Sequence, residues 1–168
     1  MDRAQFRSLK LPSFDQAKAR IAPGEYARTL ENVTLLNIML ESVDASVFRE
    51  RLGQKPLTLR VKLSGDTATV GDNHADLFIH CTVSGFAGRV RAVSIRVLYR
   101  LQLTSAETLS PEFLAIYGVV SGIPQVWPYL RELADTLTGR MGLPRLVLPL
   151  LMRSDHSVDA GKEPADSE

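Results

Sequence analysis

A run of twelve residues, Val93 to Thr104, constrains this chain more than any other feature. Val93, Ile95, Val97, Tyr99, Leu101 and Leu103 fall on one side of the run. Ser94, Arg96, Leu98, Arg100 and Gln102 fall on the other. A period of two sends successive side chains to opposite faces of an extended chain and cannot line one stripe of a helix. The run therefore predicts a strand with one buried face and one wet face. Two shorter stretches repeat the pattern. Leu57, Leu59, Val61 and Leu63 alternate with Thr58, Arg60, Lys62 and Ser64; Leu77, Ile79, Cys81 and Val83 alternate with Phe78, His80, Thr82 and Ser84. A fourth, Val33 to Ser42, sets Leu36, Ile38 and Leu40 against Asn37 and Glu41. One wet face is the mark of antiparallel sheets, and the short links favour hairpins over the longer crossovers that parallel pairs need. The residues between Gly85 and Gly88 read as a turn, and Asp44 to Gly53 as a connection carrying an exposed Val47-Phe48 pair.

A sheet with one apolar face needs a cover, and Ser110 to Leu148 supplies the candidate. Ser110 suits an N-cap, Pro111 the first helical position and Glu112 the first turn. Phe113, Ile116, Tyr117 and Val120 follow at helical spacing. Gly122 and Pro124 interrupt the pattern, and a second helix is expected to restart near Trp127-Pro128, with Leu130, Leu133, Ala134, Leu137 and Met141 as its apolar positions. Gly139 or Gly142 can supply a left-handed cap before Pro144, and Leu146, Leu148 and Leu150 read as a short extended hook. Strands followed by helix give an α+β fold class: a four-stranded antiparallel sheet followed by a Pro-broken helix packed on it. The expected organisation is an N-terminal arm over 1–32, one domain over 33–152 and a disordered polar tail over 153–168. Within the arm, 1–12 reads as weakly ordered, and 13–30 as two short helical pieces broken at Pro23-Gly24.

Twenty Lys and Arg against nineteen Asp and Glu leave no net bias toward nucleic acid or an anionic membrane, both of which call for a clustered basic surface. Arg89, Arg91, Arg96 and Arg100 have no aromatics between them for base stacking and read as a solvated sheet face. No apolar run approaches the roughly 20 residues of a spanning helix. The N-terminal residues mix charges of both signs and do not read as a secretory signal. The single cysteine, Cys81, allows no internal disulfide, falls on an apolar strand face, and with the rest points to a cytoplasmic protein. His74, His80 and His156 lack metal-ligand spacing, neither Ser84-Gly85 nor Ser121-Gly122 sits in a nucleophile elbow, and no phosphate loop is present. The reading is a non-enzyme with no catalytic residues, metal or cofactor.

Three local patterns carry a family resemblance. Trp127-Pro128-Tyr129 followed by Arg131-Glu132 is similar to the aromatic-Pro-Tyr-x-Arg-Glu of the SecB protein-export chaperones. Leu143-Pro144-x-Leu146-x-Leu148 is similar to their aromatic-Pro-x-Leu-x-Leu hook, and Asp44-x-Ser46 with Phe48 stands where they have Asp-x-Ser-Phe. The resemblance spans 33–150. Three departures accompany it: Pro124 is offset by one residue, the N-terminal arm is longer, and a polar segment from Arg153 stands where the family has a long second helix in the region used to engage the motor SecA.

The resemblance implies a cytoplasmic, ATP-independent holdase that binds unfolded or precursor polypeptides for export. It also implies a homo-oligomer, dimer or tetramer, with SecA or an antitoxin as further partners. Other roles in the same frame are a chaperone dedicated to one client, such as the antitoxin of a toxin-antitoxin pair, and a non-catalytic oligomeric assembly protein. The residues expected in the client-binding groove are Leu36, Ile38, Leu40, Val47, Phe48, Leu57 and Leu59, with Trp127 and Tyr129 as its floor. Those expected at the oligomer interface are Phe113, Ile116, Tyr117 and Val120.

Overall fold

Each alternating run folds as a strand longer than its pattern. The computed structural model describes residues 7–54 and 56–151. Its elements in chain order are β1 (Arg7–Lys10), α1 (Phe14–Arg20), α2 (Glu25–Glu31), β2 (Val33–Val47), a 3-10 turn (Arg49–Arg51), β3 (Thr58–Val70), β4 (His74–Ala87), β5 (Val90–Ser105), α3 (Pro111–Tyr117), a π turn (Gly118–Gly122) and α4 (Ile123–Arg140). The sheet is antiparallel throughout and has five strands in the order β1-β3-β4-β5-β2.

The fifth strand corrects the expectation of four. Arg7 to Lys10 pairs with Thr67 to Val70, and Leu11 and Ala17 are buried in the core. Residues 7–11 are thus part of the sheet and core, not weakly ordered. The two helical pieces expected between Ser13 and Leu30 are present. Ser13 caps α1 through a reciprocal capping box with Gln16, and Pro23-Gly24 separates α1 from α2. The arm packs on the domain, for α1 lies against α3 and the Tyr26 ring stacks on Phe113 with centroids 5.2 Å apart. The tail expected from 153 onward lies outside the described residues.

β3, β4 and β5 form a meander, closed between β4 and β5 by a two-residue turn at Gly88-Arg89. β2 does not pair with its sequence neighbour β3. It crosses to the far side of β5, a Greek-key arrangement, so the connection 48–57 spans one end of the sheet. That connection starts later than expected, because β2 continues through Asp44, Ala45 and Ser46 to Val47.

On β4 and β5 the expected faces hold. Leu77, Ile79, Cys81, Val83, Val93, Ile95, Val97, Tyr99, Leu101 and Leu103 are all buried. Burial pushes the Cys81 thiol up to about 12 and the Tyr99 hydroxyl to about the same value, the latter aided by Cys81 and Glu132. The opposite face carries the arginines. Arg96 pairs with Asp44, and Arg100 bridges Glu41 at 2.6 Å and Asp76 at 3.3 Å.

The 110–140 block covers the apolar face. Ser110 caps α3 through the Phe113 N–H, as expected. The interruption differs from the expectation. The chain does not leave the helix at Gly122-Pro124 and restart near Trp127. A π turn absorbs the break, α4 begins at Ile123, and Pro128 sits inside it. The physical reason is close packing at the turn. Gly118 lies over Gly65 of β3, where an added Cβ at Gly65 would come within 2.8 Å of the Ile79 methyl and 3.6 Å of the Gly118 Cα. The resulting block, Pro111–Arg140, is long and apolar enough to cross a membrane by length and composition, unlike the sequence expectation. Here it lies on the sheet, with Phe113, Leu114, Val126, Leu130 and Ala134 buried.

Candidate functional site

α4 ends in a Schellman cap at Gly142, whose φ of 69° is the left-handed value that glycine takes without strain. The Leu143 N–H donates to Thr138 O and the Gly142 N–H to Gly139 O, the two bonds of that motif. The cap reverses the chain, and residues 143–150 run back along α4 as an extended segment, without the ladder of a strand. Three helix side chains fix it. The Leu146 N–H donates to Thr138 Oγ1 at 3.0 Å, Arg131 Nε donates to Leu148 O at 2.7 Å, and Trp127 Nε1 donates to Pro149 O at 3.0 Å. Leu148 is buried beneath them.

The hook makes one wall of a cleft of about 640 Å³. Its other wall is the sheet, at Leu57, Leu59, Val83, Gly85 and Val93, and the connection carrying Leu52, Gly53, Gln54 and Pro56 rims it. Across the end of the cleft, Arg49 Nη2 donates to Met141 O at 2.6 Å and ties the connection to the helix terminus. The lining is mostly aliphatic, so the cleft can bury apolar side chains. Beside it the sheet offers backbone. β1 covers β3 only from Thr67 to Val70, and among the described residues no strand pairs with the outer edge of Thr58 to Ser64.

Two of the expected groove residues, Leu57 and Leu59, line this cleft, and Leu59 is 40 % exposed. Val47 and Phe48 sit at the same end of the sheet, half-buried, with Val47 opposite Val93 and Phe48 under the Arg51 guanidinium at 4.2 Å. The first-strand residues fall elsewhere. β-bulges follow Leu35 and Leu40, so Leu36 and Glu41 drop out of the ladder and the face shifts. Ile38 opposes Leu101 on the helix-covered side and packs on the core, whereas Leu40, opposite Tyr99, and Leu36 both stand exposed. Trp127 is buried against the hook instead of flooring a groove, and Tyr129 is exposed on α4 outside the cleft lining.

Among the expected interface residues, Phe113, Ile116 and Tyr117 are buried within the chain itself. The arm packs over part of this surface through Tyr26, and only Val120 is exposed. Sequence reasoning missed Leu52 and Val93 as cleft residues and the hook leucines 143 and 146 as its wall. The hook motif was the available signal for the last pair. Among the described residues no group of three or more His, Cys, Asp or Glu could hold a metal ion.

No family model matches the sequence, and no curated protein sequence matches it. Its structure is similar to a solved SecB-like chaperone, Rv1957 of Mycobacterium tuberculosis, in complex with a ChAD peptide from the HigA1 antitoxin. That likeness has a TM-score of 0.65 and 21 % identity over 74 % of this chain and 95 % of that one. A protein of unknown function from Streptococcus agalactiae aligns more loosely, at a TM-score of 0.40 and 8 % identity over 70 % of this chain and 96 % of that one, too distant to inform the fold. Five antiparallel strands under a broken helix, closed by a hook, give this chain the SecB-like fold.

Proposed function

We propose that this protein is a cytoplasmic, ATP-independent chaperone that holds unfolded or partly folded polypeptide in the cleft between hook and sheet. The observation that carries this reading is the cleft itself: aliphatic, open to solvent, and flanked by a strand edge that no strand among the described residues pairs with. Each client side chain buried there gains about 1.5–3 kcal/mol, so affinity accumulates over several residues without a directional code. The edge of β3 offers hydrogen bonds to an extended backbone whatever its sequence. Holding requires neither a catalytic group nor a cofactor. Export through SecA and assembly as a dimer or tetramer belong to the same proposal.

The test is suppression of aggregation of several unrelated denatured proteins without ATP, at stoichiometric chain concentrations. Suppression that weakens in Leu59→Asp supports a general holdase, and no suppression of any client overturns it. A second reading, a chaperone dedicated to one antitoxin, is favoured by the antitoxin peptide bound to the similar Mycobacterium tuberculosis chaperone. It predicts tight binding of one partner and none of the unrelated clients. An oligomer with no affinity for any unfolded chain would instead indicate an assembly protein.

A further inference from the structure

We propose that the cleft selects extended segments whose apolar centre is flanked by acidic residues. The inference rests on the peptide-binding reading above and adds the chemistry of the client. The chain as a whole is nearly neutral, yet its charge is sharply divided. The segments that build and border the cleft end of the sheet, 49–54, 56–62, 85–93 and 138–146, carry eight Lys or Arg and one acidic residue, Glu50. That leaves twelve basic and eighteen acidic residues for the rest of the chain. Two carboxylates at the margins are already engaged, Asp44 by Arg96 and Asp135 by Arg145 at 2.8 Å.

The positive charge reaches the cleft itself. The Arg49 guanidinium carries it, held at the cleft end by Met141 O, 3.9 Å from the Cβ position of the lining residue Gly142, while Arg145 lines the cleft with its charge already paired to Asp135. Arg51 is anchored nearby, over the Phe48 ring and on the Arg91 carbonyl. An apolar slot rimmed by arginines favours a ligand with the inverse pattern, and charge complementarity of this kind sets partner choice and association rate. A nucleic acid fits less well, because the lining is aliphatic and offers no aromatic face for base stacking.

The experiment uses the full chain and three fluorescent peptides with the same apolar centre, flanked by Glu, by Ser or by Lys. At about 0.05 M salt the Glu-flanked peptide should bind about tenfold tighter than the Lys-flanked one, with Ser between, and the gap should close at about 0.5 M as screening shortens the reach of the charges. Reversal of the exposed pair in R91E/R140E should remove most of the preference while the Ser-flanked peptide keeps its affinity. Equal binding of all three peptides, each weakened by Leu59→Asp, overturns the charge proposal and leaves the holdase reading standing. Absence of binding by any peptide overturns the holdase reading beneath it. A single-stranded oligonucleotide that displaces the Glu-flanked peptide at lower concentration than the peptide's own unlabelled form also overturns the proposal, in favour of an anionic polymer.

Discussion

The two ends of the sheet's apolar face are built from the same residue types and end in opposite states. At one end, β4 and β5 send Leu77, Ile79, Leu101 and Leu103 against α3 and the π turn, close enough that a Cβ at Gly65 would come within 2.8 Å of the Ile79 methyl. At the other end, the more exposed Leu57 and Leu59 face the hook across an open space of about 640 Å³, over a floor of buried Val83 and Val93. The difference lies in the cover. A continuous helix brings a side chain to the sheet at every turn, whereas an extended hook held by three side-chain hydrogen bonds stands off it. The lesson is that an apolar strand residue becomes core or binding surface according to what lies above it.

The comparison breaks most readily at its extremes. Phe113→Ala at the packed end should cost ~3–5 kcal/mol in denaturant unfolding, whereas Leu59→Ala at the open end should cost only about 0.5 kcal/mol. Equal costs would mean that the open end is core after all. For binding the order reverses. Leu59→Asp should weaken peptide affinity by about 10- to 100-fold, the equivalent of one buried aliphatic contact, and Leu36→Asp, a bulge residue outside the cleft, should leave it unchanged.

The hook offers a finer test. Thr138→Val removes the acceptor of the Leu146 N–H and should destabilise the chain by ~1–3 kcal/mol, with faster amide exchange confined to residues 143–149. The smallest effect concerns pH. The Cys81 thiol has an ordinary value of 9.0 and a folded value of about 12, so above about pH 9 the unfolded chain loses a proton that the folded chain retains. Stability should therefore fall as pH rises from about 9 toward about 12, with Tyr99 adding to the slope. Cys81→Ala should flatten that decline in thermal melts across the range.

The parts of the fold legible in the sequence were those that a local pattern determines. β4 and β5 are central strands with unbroken alternation, so their faces follow from period two alone. On β2 the same reasoning placed Leu36 with Ile38 and Leu40, and the bulge at Leu36 undid it, because one extra residue moves a side chain off its face without disturbing the composition. β1 was hidden because its four residues carry no pattern, and its partner, Thr67 to Val70, lies sixty positions along the chain. Leu57 and Leu59, expected in a client groove, line the cleft. Trp127 does not, and only the folded hook shows that its indole N–H has the Pro149 carbonyl to satisfy.

Alone, then, the sequence determined the antiparallel strands, the helical block that covers them, the capped turn into a hook, and the SecB-like resemblance. These depend on spacing between near neighbours, where backbone geometry allows few outcomes. Tertiary structure alone decided that β2 crosses to β5, that the arm joins the sheet and packs over α3, and that the hook stands away from Leu59 to leave a cleft. Such features depend on which apolar surfaces meet, and burial energy is non-directional, so residue type alone cannot choose the partner.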